Sequence, residues 1–161
     1  MRCKTSDYFE VKFCYDKTQD DGVMKKTTEL YVVEALSFTE AEAKIVEEMS
    51  HYVQGDYKIK AIAIPQYHEV WFSDKSKDDK FYKAKLQFVT LDEMSDKEKK
   101  SNNFYLVQAG SFDAAKKYIE DVMDGSMADY KIASVKETEI MDVFEIESEK
   151  PKKTENKDKE K

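Results

Sequence analysis

The stretch SFTEAEAKIVEEM, Ser37 to Met49, returns later in the chain as SFDAAKKYIEDVM, Ser111 to Met123. Each is followed by DYKI, at Asp56–Ile59 and at Asp129–Ile132. Further out, YFEVKFCY (Tyr8–Tyr15) shares its pattern with FYKAKLQF (Phe81–Phe88), and ELYVVEALSF (Glu29–Phe38) with NFYLVQAGSF (Asn103–Phe112). The step from Tyr8 to Phe81, or from Ser37 to Ser111, is 73 or 74 residues. A fifth pairing sets YHEVWF (Tyr67–Phe72) against EIMDVF (Glu139–Phe144). Order and spacing together mark an internal duplication, and a repeat constrains the fold before any single element does.

Each unit reads as the same series of elements. In Tyr8–Tyr15, Phe9, Val11, Phe13 and Tyr15 fall on one side, and Tyr8, Glu10, Lys12 and Cys14 on the other. That period of two predicts a half-buried strand. The polar stretch after it holds Asp21-Gly22, which suits a hairpin turn. Glu29–Leu36, rich in β-branched and aromatic residues, is the returning strand. Ser37 then opens a helix with Glu40 three residues on, the spacing of a capping box. Phe38, Ala41, Ile45, Met49 and Tyr52 form one apolar stripe. Phe112, Ala115, Ile119 and Met123 repeat it, but Ala114 replaces the box glutamate, so the second cap should be weaker. Asp56–Ile64 is a third strand, broken by Pro65, and Tyr67–Phe72 adds a short fourth.

The expected fold is α+β: internally duplicated β-β-α-β units with an extra strand, the helices covering one face of antiparallel or mixed sheet. The divisions are a first repeat over residues 1–72, a linker over 73–80, a second repeat over 81–146 and a charged tail over 147–161. The tail has six lysines, five acids and no apolar residue, a composition expected to be disordered.

Composition narrows the function. Aromatics make up 12% of the chain, enough for a real core, while the net charge of −7 disfavours non-specific coating of nucleic acid. Two cysteines, Cys3 and Cys14, are too few for a disulfide framework, and read as reduced thiols with Cys14 half-buried in a strand. No leader-like or membrane-spanning apolar run is present, so the expected compartment is the cytoplasm.

The phrases VEALSFTEAEAKIVEEM, GSMADYKI and EIMDVF resemble a family of small proteins known only as a domain of unknown function. The resemblance covers nearly all the chain except the tail. It implies a cytoplasmic protein from Bacteroides-type bacteria or their crAss-like phages and mobile elements. It carries over no activity, cofactor or catalytic residue.

Nothing in the sequence assembles an enzyme site. His51 and His68 have no counterparts in the other copy, and the four glycines form no phosphate loop. The helix start at Ser37 would suit an anion, but Glu40 and Glu42 would repel one. The acidic clusters near Asp21 and Asp92 are interleaved with lysines, as solvated hairpin tips are. We therefore expect no enzyme activity, no cofactor and no metal. The candidate binding face is the sheet side away from the helices. It holds Tyr8, Lys12, Lys58 and Lys60 in one copy and Phe81, Lys83, Lys85 and Lys131 in the other, with acids gathered on the helices. The leading expectation is a binding protein that engages another protein, from host or phage, through a sheet face or edge. The alternative is a single strand of nucleic acid stacked on those aromatics and neutralised by those lysines. The plainer reading of such a face is ordinary solvation, with lysine blunting sheet edges.

Overall fold

The alternation of Tyr8–Tyr15 does make a strand, and it gives the strand two apolar faces. In a computed structural model, which describes residues 1–146, the described residues form nine strands and two helices. These are β1 (Arg2–Thr5), β2 (Tyr8–Thr18), β3 (Met24–Glu34), α1 (Phe38–Met49), β4 (Tyr57–Ala63) and β5 (Glu69–Phe72). There follow β6 (Lys80–Asp92), β7 (Lys97–Ala109), α2 (Phe112–Asp124), β8 (Tyr130–Glu137) and β9 (Ile140–Phe144). The tail expected from Glu147 to Lys161 lies outside the described residues.

Within each copy the plan is the same. A hairpin, β2–β3 or β6–β7, is followed by a helix, and the next strand, β4 or β8, pairs antiparallel with the outer side of β2 or β6. Even the irregularities repeat. The β2–β4 ladder shifts register between Lys12 and Phe13, and the β6–β8 ladder shifts between Lys85 and Leu86. A bulge at one place in both copies is a feature of the plan, not an accident of one strand.

The short last strand of each copy then crosses to the other copy's sheet. β5 pairs in parallel with β7, and β9 pairs in parallel with β3. The result is two mixed sheets, β4-β2-β3-β9 and β8-β6-β7-β5-β1. Val143 lies opposite Val32, and Val70 opposite Leu106. Val70 is therefore the counterpart of Val143, Trp71 of Phe144, and Tyr67 of Ile140. The sequence pairing of Tyr67–Phe72 with Glu139–Phe144 is thus one residue out. Side chains alternate along a strand, so that slip would exchange the two faces.

Those faces set the layers. On the outer side of the first sheet, Phe9, Val11, Phe13, Tyr31 and Val33 meet Ala41, Ile45 and Met49 of α1. On the outer side of the second, Trp71, Ala84, Leu86 and Val107 meet Ile119 and Met123 of α2. Between the sheets, Tyr8, Val32, Ile140 and Val143 pack against Val70, Phe72, Phe81 and Leu106. The order is helix, sheet, sheet, helix, an α+β arrangement in which each sheet has one face under a helix.

This overturns the expectation that the face away from the helices is open along its length. Tyr8 and Phe81 are each 2% exposed, because each sheet covers the other there. Three smaller corrections follow from local geometry. The hairpin strands run into the polar stretches, to Thr18 and from Met24, and to Asp92 and from Lys97, as two-stranded ribbons. Phe38 is 51% exposed, touching Phe9 edge-on at 5.0 Å from the first helical position, and Tyr52 lies beyond the helix end at Met49. Cys14 is buried, not half-buried, while Cys3 is exposed, and both are free thiols.

The caps follow the sequence closely. Ser37 Oγ accepts from the Glu40 N–H at 3.1 Å, and Ser111 Oγ accepts from the Ala114 N–H at 3.1 Å. Glu40 reaches back as expected, but its carboxylate accepts from the Leu36 N–H at 2.9 Å, one residue before the cap. Ala114 has no carboxylate to return, so the second helix start keeps half of the arrangement.

Candidate functional site

The residues singled out on the sequence separate into a buried group and a surface group. Tyr8 and Phe81 belong to the inter-sheet core. Lys83 bridges the sheets: its Nζ lies 3.0 Å from Glu10 of β2 and 5.8 Å from the ring centre of Tyr67. Tyr67 is buried and donates its hydroxyl to Glu10 at 3.0 Å. Burial first, then the Glu10 carboxylate, holds that hydroxyl far above the usual tyrosine range. Lys85 is half-buried over Phe104, at 5.9 Å from its ring centre. Lys12, Lys58, Lys60 and Lys131 remain exposed. The lysines are therefore only partly free, and the aromatics offered for stacking are inside. His51 and His68 are both exposed and belong to no cluster. Among the described residues no group of three or more His, Cys, Asp or Glu is arranged to hold a metal ion.

The internal symmetry reveals a different site. On β5, the edge is covered: β1 lies antiparallel to it, with Arg2 opposite Phe72, Cys3 opposite Trp71, Lys4 opposite Val70 and Thr5 opposite Glu69. Arg2 and Lys4 then reach across to the first sheet. Lys4 Nζ donates to Glu34 at 2.9 Å, and the Arg2 guanidinium holds Glu145 through two bonds, one of 2.8 Å. Glu34 is 4% exposed and also accepts the Ile146 N–H at 2.8 Å. Burial alone would raise the Glu34 carboxyl, but Lys4, Ser6 and the Ile146 amide outweigh it and hold it below the ordinary value. Glu145 is lowered chiefly by its bonds to Arg2.

β9, the counterpart of β5, has no such cover. Among the described residues it pairs with β3 alone. It advances three residues, Ile140 to Val143, where β3 advances two, Leu30 to Val32, so Met141 and Asp142 bulge. The N–H of Val143, where Val70 has Lys4 opposite it, donates to the Asp142 carboxylate at 2.8 Å. Met141 is 52% exposed beside it.

The segment that would match β1 is Lys75–Asp78, 73 residues on from Arg2–Thr5. It does not lie along β9: the connection Ser73–Asp79 runs from β5 to β6, both in the second sheet. It curls over that sheet instead. Asp78, 2% exposed, accepts from the hydroxyls of Ser73 and Tyr118, the latter at 2.6 Å. Burial opposes ionisation of Asp78, but the two hydroxyls prevail and its carboxyl sits below the usual range. Its other oxygen is buried against Gly110 without a hydrogen bond of good geometry. Gln108, the counterpart of Glu34, accepts the Ser73 N–H at 2.9 Å just as Glu34 accepts that of Ile146. Between this loop and β9 runs a groove of about 430 Å³, whose lining includes Asp74, Lys75, Asp78, Asp79, Met141 and Asp142. The sequence signal for this site was the repeat itself: Lys75 and Lys77 stand where Arg2 and Lys4 stand, 73 residues on, but in a segment of mixed charge between two strands of one sheet.

Fold and site together define a duplicated two-sheet α+β protein in which, among the described residues, one strand edge is covered and its counterpart is not. Residues 7–146 match the domain of unknown function DUF4494, and the chain belongs to that family. Neither the curated proteins nor the solved structures include a match to it.

Proposed function

We propose that this chain is a non-enzymatic protein-binding or accessory protein, acting in the cytoplasm of a bacterium or for a phage or mobile element, and that it engages its partner along a sheet edge. The observation that supports this reading is that, among the described residues, the outer edge of β9 is unpaired while that of β5 is covered. An unpaired strand offers a row of backbone donors and acceptors, and extended partners commonly add to such edges. The reading needs no cofactor. No helix among the described residues is long and apolar enough to cross a membrane.

The alternative, single-stranded nucleic acid, rests on Lys12, Lys58, Lys60 and Lys131, which are exposed, and loses the stacking surface of Tyr8 and Phe81, which are not. Affinity capture from the native cell, with and without nuclease, separates the two. The protein-binding reading expects the same partner protein in both arms. Loss of all captured material on nuclease treatment, with oligonucleotide binding whose affinity falls at a log–log salt slope of about −0.7 per phosphate neutralised, would promote the alternative.

A further inference from the structure

We infer that the outer edge of β9, with the groove under loop Ser73–Asp79, accepts one extended basic peptide segment of a partner protein, running antiparallel to β9 as β1 runs on β5. This deepens the protein-binding reading and rests on it. Three observations carry it. First, the chain itself shows what fits the equivalent edge: β1, a four-residue strand with Arg2 and Lys4 on one face. Second, the edge, unpaired on its outer side among the described residues, is flanked by acid. Asp74, Asp79 and Asp142 line the groove beside Lys75, and Asp78 is buried behind them. A second copy pairing β9 to β9 would bring Asp142 and Glu145 of each chain towards those of the other, which disfavours self-association there. Third, the local device that satisfies the edge is a side chain. The Asp142 carboxylate takes the Val143 N–H, and a carboxylate on an exposed bulge can turn away when a strand carbonyl arrives to replace it.

The register follows from the symmetry. Phe72, Trp71, Val70 and Glu69, which face Arg2, Cys3, Lys4 and Thr5, correspond to Glu145, Phe144, Val143 and Asp142. Incoming residues opposite Glu145 and Val143 take the places of Arg2 and Lys4. The alternate residue, opposite Phe144, takes the place of Cys3.

The probe is an acetylated, amidated peptide, Met-Arg-Ser-Lys-Thr-Ser-Asp, which copies residues 1–7 with serine in place of the thiol. Titrated into the full ¹⁵N-labelled chain, it should shift the amides of Met141–Phe144 and Asp74–Asp79 with a Kd below about 1 mM. The amides of β1 and β5 should not move. A peptide with glutamate for Arg and Lys should bind at least about tenfold more weakly, and so should the native-charge peptide to Asp142→Lys, a surface change. Absence of shifts at saturating peptide, equal binding of the reversed-charge peptide, or shifts confined to β1 and β5 would each overturn the inference. A captured cellular partner indifferent to Asp142→Lys would overturn it while leaving the protein-binding reading in place. Peptide binding together with an empty capture would support the edge and count against that reading.

Discussion

At the scale of single residues, the four charges Arg2, Lys4, Glu34 and Glu145 pin the first strand to the opposite sheet. Both carboxyls titrate below their ordinary values when folded. Their contribution to stability is therefore complete above the unfolded value, near pH 4.3, and is lost as pH falls through the lower folded value. We predict that Glu34→Gln costs about 1–3 kcal/mol at pH 7, measured by urea unfolding, and that the penalty shrinks below about pH 4. A pH-independent penalty would mean that Glu34 acts by packing alone. Arg2 is mostly exposed, with 58% of its side chain in solvent, so Arg2→Ala should cost less than Glu34→Gln. Gly110 offers a second test. A Cβ there would stand 2.8 Å from the Lys77 carbonyl, whereas at Gly125 the nearest atom is 3.5 Å away. Gly110→Ala should destabilise by about 1–3 kcal/mol, and Gly125→Ala should be neutral or stabilising by up to about 1 kcal/mol. Equal effects in a melting experiment would show that the loop yields freely. None of these partnerships was legible in the sequence: Lys4 and Glu34 share no local pattern, and Asp78 fell within the linker over 73–80.

At the scale of elements, the sequence was far more readable. The stripe Ala41, Ile45, Met49 and its copy Ala115, Ile119, Met123 are the buried residues of the two helices. Ile45 and Ile119 are both fully buried, so alanine at either should cost about 2–5 kcal/mol, with similar values for the two. A change near zero at one would break the equivalence of the copies. The caps should each be worth about 1 kcal/mol, read from Ser37→Ala and Ser111→Ala. What the pattern misjudged were the ends of the stripe and the short strands. Phe38 and Tyr52 fit the helical spacing but lie where the helix begins and has already ended. In Tyr67–Phe72 and Glu139–Phe144, apolar residues occur on both faces, so alternation could not fix the register. Only the ladder partners, Val70 with Leu106 and Val143 with Val32, do so.

At the scale of the whole molecule, the duplication was legible and the exchange was not. Alternation puts Tyr8 and Lys12 on one side of their strand, yet a period of two says nothing about what covers that face. Here the other copy's sheet covers it, and β5 and β9 lock the copies by crossing over. The most direct test is a set of cross-strand backbone NOEs in the full chain. The crossed-over strands require amide–Hα contacts between Val33 and Phe144 and between Trp71 and Val107, pairs that lie on opposite outer sides of the molecule. Contacts instead between Val33 and Trp71, and between Val107 and Phe144, would mean that each copy keeps its own last strand, and would contradict both the exchange and the bare edge of β9 inferred from it.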